Sequence, residues 1–422
     1  MKKTLSLLLC LCLLLSAAGA ALAADMPFTD VPADAWYYED VASAAAAGLI
    51  NGKTADTFAP DDNLTCAEAV KLAAVLYQQH AEGEITLTNG DPWYQPYVDY
   101  MDEMFYPFEY EWTKPATRGE FMEIFALALP AEELEAVNDI PFGAIPDVPA
   151  DYPQAAGIYR LYRAGIVQGS SGQLNGEAAD NLCKPDDTIR RSEAAAILTR
   201  MTDKSRRISF SLAAPADAEA ASWTFEGNGT LVILADTAKD EAGYPWAGAK
   251  KLVTSIRVAD GVKAIGDEAF ANFRFATEVT LPEGLETIGA DAFSHCGALK
   301  EIALPDSVTE IGSHAFSKCY ELETVTLPKG LEALPDNLFF DNASLTAVTL
   351  PENLVTIGER AFCRSSIKSI EIPVTVKTIE AGAFEDCGDL ESVIYAGTDA
   401  QWAEIAIADG NEALLAAART NA

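Results

Sequence analysis

Three short segments hold the residue types best suited to gripping an anion. They are "LTCAE" at 64–68, "ATRGE" at 116–120 and "IRRSE" at 189–193, and each runs into an apolar stretch. Arg118 and Arg191 occupy one aligned position, and Cys66 stands there in the first segment. A guanidinium at a helix start, beside backbone N–H groups without a partner inside the helix, is suited to bidentate carboxylate binding. The competing reading is a salt bridge to local acids such as Asp186 or Asp187. Cys66 is then read as the place where a charge has gone, not as a catalyst.

The rest of the reactive inventory is thin. The only histidines are His80, His295 and His314, and the chain has no GxSxG, HExxH or phosphate-cradling glycine loop. Cys296, Cys319 and Cys387 fall three residues after a recurring phenylalanine, a column that Phe273 and Asn342 fill in other repeats. Mixed occupancy reads as packing beneath a turn. A Cys296–Cys319 disulfide is an alternative, as is a Cys/His metal site with His295 and His314, although stacked ligands lack tetrahedral convergence. No catalytic residue, cofactor or metal is expected, and the chain reads as a non-enzyme.

The elements that position these residues come after a leader. Lys2 and Lys3 precede an apolar run from Leu5 to Leu15 and then "AGAALAAD", the layout of a secretory signal peptide over 1–24. Nothing later reads as a membrane span. Without Lys2 and Lys3 the chain has 27 basic against 64 acidic residues, a net charge near −37. Such a surface repels nucleic acid and anionic lipid, so an anionic ligand needs a local basic site. Export permits disulfides, but of the eight cysteines Cys10 and Cys12 lie in the leader, and the other six, scattered and without CxxC, read as mostly free, buried thiols.

Two repeat systems follow. "DVPAD" at 30–34 aligns with "DVPAD" at 147–151; Gly48 with Gly165, Gly52 with Gly169, and "APDD" at 59–62 with "KPDD" at 184–187 keep the frame. The later copy has eight extra residues between glycine and proline, placed in a loop. A middle copy, "DPWYQPYV" to "ATRGE", lacks the glycine-rich centre. Each copy reads as helix, loop, helix, the first helix stopped by Gly48 or Gly165. Thr65 with Glu68 and Thr117 with Glu120 form capping boxes, whereas Arg190 is a weak N-cap. Trp36 and Trp93 open the first two copies where Pro153 stands in the third, as aromatic anchors or as sugar-stacking faces.

These motifs resemble the S-layer homology (SLH) module over roughly 25–204. The resemblance implies an all-α, three-fold pseudo-symmetric domain that binds secondary cell-wall polysaccharide, often pyruvylated, in grooves between copies. The residues it nominates here are Arg118, Arg191, Trp36, Trp93, Asp30, Asp147, Gly52 and Gly169. No copy is complete, so one or two working grooves are expected.

In the second system Phe270, Phe293, Phe316, Phe339 and Phe362 recur every 23 residues, with Phe384 next after 22. Pro282, Pro305, Pro328, Pro351 and Pro373 keep the same beat. "ETVTLP" and "TAVTLP" read as short strands ended by proline, and the "IG…AF" half as a turn and short helix. The pattern resembles BspA-like leucine-rich repeats, an α/β solenoid whose stacked turns make the core. The outward column (Thr280, Ala303, Thr326, Thr349, Glu371, Ile394) has no Trp, Tyr or Arg to mark a binding hot spot.

The expected domains are 1–24 signal peptide; 25–85, 86–140 and 141–204 SLH copies; 205–221 linker; 222–252 opening β-segment; 253–396 repeats; and 397–422 cap. The expected function is a secreted cell-surface protein, held non-covalently on wall polysaccharide, displaying its array to an unidentified protein or glycan. The alternatives are a secreted glycan- or peptide-hydrolysing enzyme, or a purely structural wall component.

Overall fold

The computed structural model describes residues 26–421 apart from 106–107, 175–176, 214–221, 237–238 and 240–242. The expected signal peptide therefore lies outside the described residues.

The N-terminal half is a ring of three helix pairs. They are α1 (Tyr38–Ala46) with α2 (Cys66–Glu82), α3 (Gln95–Met104) with α4 (Arg118–Phe125), and α5 (Ala155–Arg163) with α6 (Arg191–Thr202). The first helix of each pair packs on the second helix of the preceding copy: α3 on α2, α5 on α4, and α1 on α6. One copy alone thus lacks the partner for its apolar face, and three close the circuit.

The closure is visible in the backbone. Leu64 N–H donates to Ile189 O (3.0 Å), Ile189 N–H to Ala116 O (3.1 Å) and Ala116 N–H to Leu64 O (2.8 Å). All three residues are fully buried. The segments that opened the sequence reading therefore meet on the ring's axis.

Local signals account for the helix ends. Gly48 and Gly165 have φ of +70° and +71°, and the residues after them donate back to Ala44 O and Leu161 O, which is the Schellman closure. Thr65 and Thr117 accept from the Glu68 and Glu120 N–H groups at 3.2 and 3.1 Å, and both glutamates return the bond. At the third start Glu193 accepts from Arg190 N–H (3.0 Å), but a guanidinium has no acceptor, so half of that box is missing. The eight extra residues form a hairpin of β1 (Ser170–Leu174) and β2 (Glu177–Leu182). Part of the expected linker is fixed structure: Asn138 holds Ile208 O and Phe210 N–H at 2.9 Å each.

The C-terminal half is a solenoid. It opens with an antiparallel pair, Trp223–Phe225 on Thr230–Ile233, and continues as parallel rungs at Ser255–Val258 and Glu278–Thr280. Farther on, Thr324, Val325 and Thr326 lie beside Glu301, Ile302 and Ala303, one repeat apart. A second parallel ladder passes through Ile265, Ile288 and Ile311. The repeat phenylalanines stack in the core with centroids 5.2, 5.4, 6.2, 5.5 and 5.3 Å apart from Phe270 to Phe384, and Trp246 caps the stack at 6.0 Å.

The short helix expected in each "IG…AF" half is absent; the segment is a continuous turn. Two residues per repeat take left-handed backbone, for example Asp291 and His295 (φ 55° and 61°) or His314 and Lys318 (60° and 57°). A right-handed helix cannot pass through them. The N–H groups instead bond across repeats, Phe293 to Ala315 O and Phe316 to Leu338 O.

The cysteine column is also clarified. Cys296, Cys319 and Cys387 direct their thiols to the Phe270, Phe293 and Phe362 carbonyls at 3.3, 3.2 and 3.0 Å, and the Asn342 amide does the same to Phe316 O at 3.0 Å. Cys and Asn both supply a donor to the preceding repeat's phenylalanine carbonyl, so either serves there, whereas Phe273 fills the place by packing alone. All six described cysteines are free. Among the described residues no three His, Cys, Asp or Glu side chains are arranged to hold a metal, and no helix is long and apolar enough to cross a membrane.

Candidate ligand-binding grooves

The position two residues beyond each axial contact reaches the capping glutamate of the next copy. Arg118 Nη1 pairs with Glu193, Arg191 Nη1 lies 3.8 Å from Glu68 Oε1, and Cys66 Sγ lies 3.9 Å from Glu120 Oε2. Three equivalent crevices result, with three different fillings.

The helix starts offer an anion less than expected. Arg118 and Gly119 N–H donate to Asp187 O and Pro185 O, Arg191 and Ser192 to Asp62 O and Pro60 O, and Cys66 and Ala67 to Lys114 O and Trp112 O. The neighbouring copy's loop takes the groups that a free helix end would present.

Four nominated residues build two copies of one internal clamp. Asp30 accepts from Phe58 and Ala59 N–H at 2.7 Å each, and Asp147 from Cys183 and Lys184 N–H at 2.8 and 2.7 Å. Arg191 Nε and Arg118 Nε then donate to Phe58 O and Cys183 O, both at 2.8 Å. Burial raises the Asp30 carboxyl, but these N–H groups and the Arg191 charge outweigh it and hold it below the usual carboxylate range. Arg191 is 6% exposed, lies 4.8 Å over the Phe58 ring and gives Nη2 to Asn51 O at 2.6 Å. Its bonding capacity is taken up inside the ring.

Gly52 is likewise internal, since an added Cβ would fall 2.5 Å from the Phe28 ring. Gly169 admits the β1–β2 hairpin, a Cβ there lying 2.2 Å from Asn181 C. The local acids named as the arginines' alternative partners bond elsewhere: Asp186 accepts from the Tyr152 hydroxyl, and Asp187 contributes only its carbonyl to Arg118.

An open crevice with a volume of about 880 Å³ lies between the third copy and the start of α1. Trp36, Tyr37, Arg118, Gly169, Lys184, Arg190, Arg200 and Glu193 are among its walls. Trp36 is 65% exposed and meets Tyr37 edge-on at 5.3 Å, so it is not a buried anchor. Trp93, 38% exposed at the second crevice, has Lys71 Nζ 5.6 Å above its ring.

Family models match the chain at two places: the S-layer homology domain at residues 27–70, and the BspA type leucine rich repeat region, in six copies, at 249–341. The chain joins an S-layer homology domain to a BspA-type leucine-rich repeat array. Over 79 residues it is 34% identical to the surface-layer 125 kDa protein of Lysinibacillus sphaericus, spanning 18% of this chain but only 7% of that relative's length. Among solved structures it is similar to a leucine-rich repeat protein from Bacteroides ovatus (24% identity, TM-score 0.32, 44% of this chain and 65% of that one). The T. pallidum leucine-rich repeat protein is similar at 29% identity and TM-score 0.33, over 43% and 80% of the two chains.

The matched SLH residues are copy one alone; the axial hydrogen bonds bring copies two and three into the same domain. The open SLH crevice gathers Trp36, Arg118 and Gly169 from the nominated set and leaves out Arg191, Asp30, Asp147, Gly52 and Trp93. It also holds cations that the sequence reading passed over. Arg190 stands over Asp61 at 3.3 Å, well exposed, with Lys184 and Arg200 nearby. Two signals were present: an arginine at an N-cap, where its side chain satisfies nothing, and "KPDD" against "APDD". Cys66 is buried, and burial together with the Glu120 carboxylate pushes its thiol up to about 12. A neutral thiol is no nucleophile.

Proposed function

We propose that the SLH ring tethers this protein to cell-wall polysaccharide through the open crevice. The observation that carries the reading is four cations, Arg118, Lys184, Arg190 and Arg200, gathered beside an exposed Trp36 on a chain of net charge −35. A glycan bearing carboxylates, such as a pyruvylated one, offers both a charge for the guanidinium groups and a ring face for Trp36. On this reading Arg191, Asp30, Asp147 and Gly52 support the crevice from inside, and Trp93 serves a second, smaller one. The array displays an exposed ladder of small residues, Thr280, Ala303 and Thr326 among them, for broad protein or glycan contact in an adhesin-like role.

The test is pelleting of the full chain with purified walls, with Trp36→Ala and Arg190→Thr as variants. Both should cut binding at least tenfold. Arg190→Thr should also raise thermal stability by up to ~1 kcal/mol, because threonine completes the capping box. Undiminished pelleting of both variants would sink the assignment of this crevice.

A further inference from the structure

The third SLH crevice departs from the other two at each comparable position, and the departures agree. Where the others have an arginine it has Cys66. The tryptophan place taken by Trp36 and Trp93 holds Pro153. Three residues beyond the capping glutamate that each crevice faces, where the other two have Ala196 and Lys71, it has Glu123. A cation and an aromatic face are lost and a carboxylate is gained, so the crevice now suits a cation and repels an anionic glycan.

The array's first turn sits there. Residues Ala247–Ala249 pack on α5. Gly248 lies so close to Pro153 that an added Cβ would come 2.3 Å from the Pro153 carbonyl oxygen. Lys251 Nζ reaches Glu123 Oε1 at 3.6 Å and lies 3.8 Å from the centre of the Phe108 ring; the two charged side chains are 11% and 14% exposed. Tyr110 donates its hydroxyl to the same Glu123. Alongside, Arg163 of α5 donates to the Phe225 carbonyl of the array's opening hairpin, and Phe142 meets Trp223 at 4.8 Å. A side chain at 248 would push this turn out.

We infer that this crevice is an intramolecular socket: the third wall-binding position of the ring has been converted into the seat of the array, with Lys251 as its charged plug. Cys66, Pro153 and Glu123 are then complementary to the array, not remnants of a decayed site. The array is held at a fixed orientation on its anchor, and the ring is left with no more than two crevices open to an external ligand. The socket does not depend on what the open crevice binds, so the two readings fail separately.

Hydrogen exchange of the full chain tests it, with Lys251→Glu and Gly248→Leu as disrupting variants and Lys251→Arg as the conservative one. Lys251→Glu sets like charges together at a nearly buried site, and Gly248→Leu fills the space against Pro153. Both should speed exchange at least tenfold in 153–163 and 246–252 while the phenylalanine stack stays protected, and Lys251→Arg should keep wild-type protection. Wall pelleting should be the same for all three. Wild-type protection of both segments in the two disrupting variants would overturn the proposal. So would a gain in wall binding by Cys66→Arg with the array still seated, since it would show the socket open to the outside ligand.

Discussion

In the ring each helix pair finds its packing partner across a closed circuit of three copies, whereas each turn of the array leans on one neighbour before it and one after. The closed circuit keeps backbone equivalence strict at the axis, where Leu64, Ala116 and Ile189 exchange hydrogen bonds, and at the helix starts beside it. Away from the axis each copy's side chains face a different neighbour, so equivalent positions can diverge: Arg118 floors an open crevice, Arg191 is locked inside, and Cys66 lies beneath the array. In the array the interior phenylalanines Phe293, Phe316, Phe339 and Phe362 each stack on their counterparts in two adjacent turns, so a change in one turn is felt in both. That explains why the 23-residue beat slips by only one residue, between Phe362 and Phe384, while the ring's copies are degenerate.

The largest effect that this comparison anticipates is in the array. Phe316→Ala removes a fully buried ring that stacks on Phe293 and Phe339 and should cost about 3–5 kcal/mol in chemical denaturation. A loss below ~1 kcal/mol would mean that turns do not depend on both neighbours.

Next comes the ring. Arg191→Ala leaves the Phe58 and Asn51 carbonyls and Glu68 without their shared cation and should cost about 3 kcal/mol. Arg191→Lys should not restore it, because a single ammonium cannot span the same three acceptors. Loss of wall pelleting without loss of stability would return Arg191 to the ligand-facing set.

The smallest expected signal is a null one. Burial pushes the thiols of Cys66, Cys183 and Cys319 up to about 12 and that of Cys363 to about 11, with Cys296 and Cys387 also raised. Native protein at pH 8 should therefore leave all six unlabelled by a thiol reagent, and denatured protein should label all six. Fast labelling of Cys66 alone would reopen its reactive reading.

Much of the architecture was legible from residue types and periods. Gly48, Gly165, Thr65 and Thr117 act locally, through φ and through bonds within a few residues, so their roles could be read without knowing any neighbour. The 23-residue period named the core phenylalanines directly. The turn that replaces the expected short helix was harder to see, because its N–H groups bond to the next repeat. The crevice was only partly legible. Trp36 and Arg118 could be picked out by alignment, whereas Arg190 showed only as a poor cap, a signal that says nothing of the crevice it enters.

What the sequence by itself determined is the repeat content, the two halves, the ends of the helices and the stacked core, all consequences of short-range backbone preference and apolar spacing. Only the tertiary structure decided which of three equivalent positions lines an open crevice. It also decided that the helix N-termini are already satisfied and that the crevice holding the cysteine, walled by copies two and three, seats the array. Those outcomes depend on which chain segment arrives opposite, from as far away as Gly248 and Lys251 are from Cys66, and a one-dimensional pattern holds no record of that meeting.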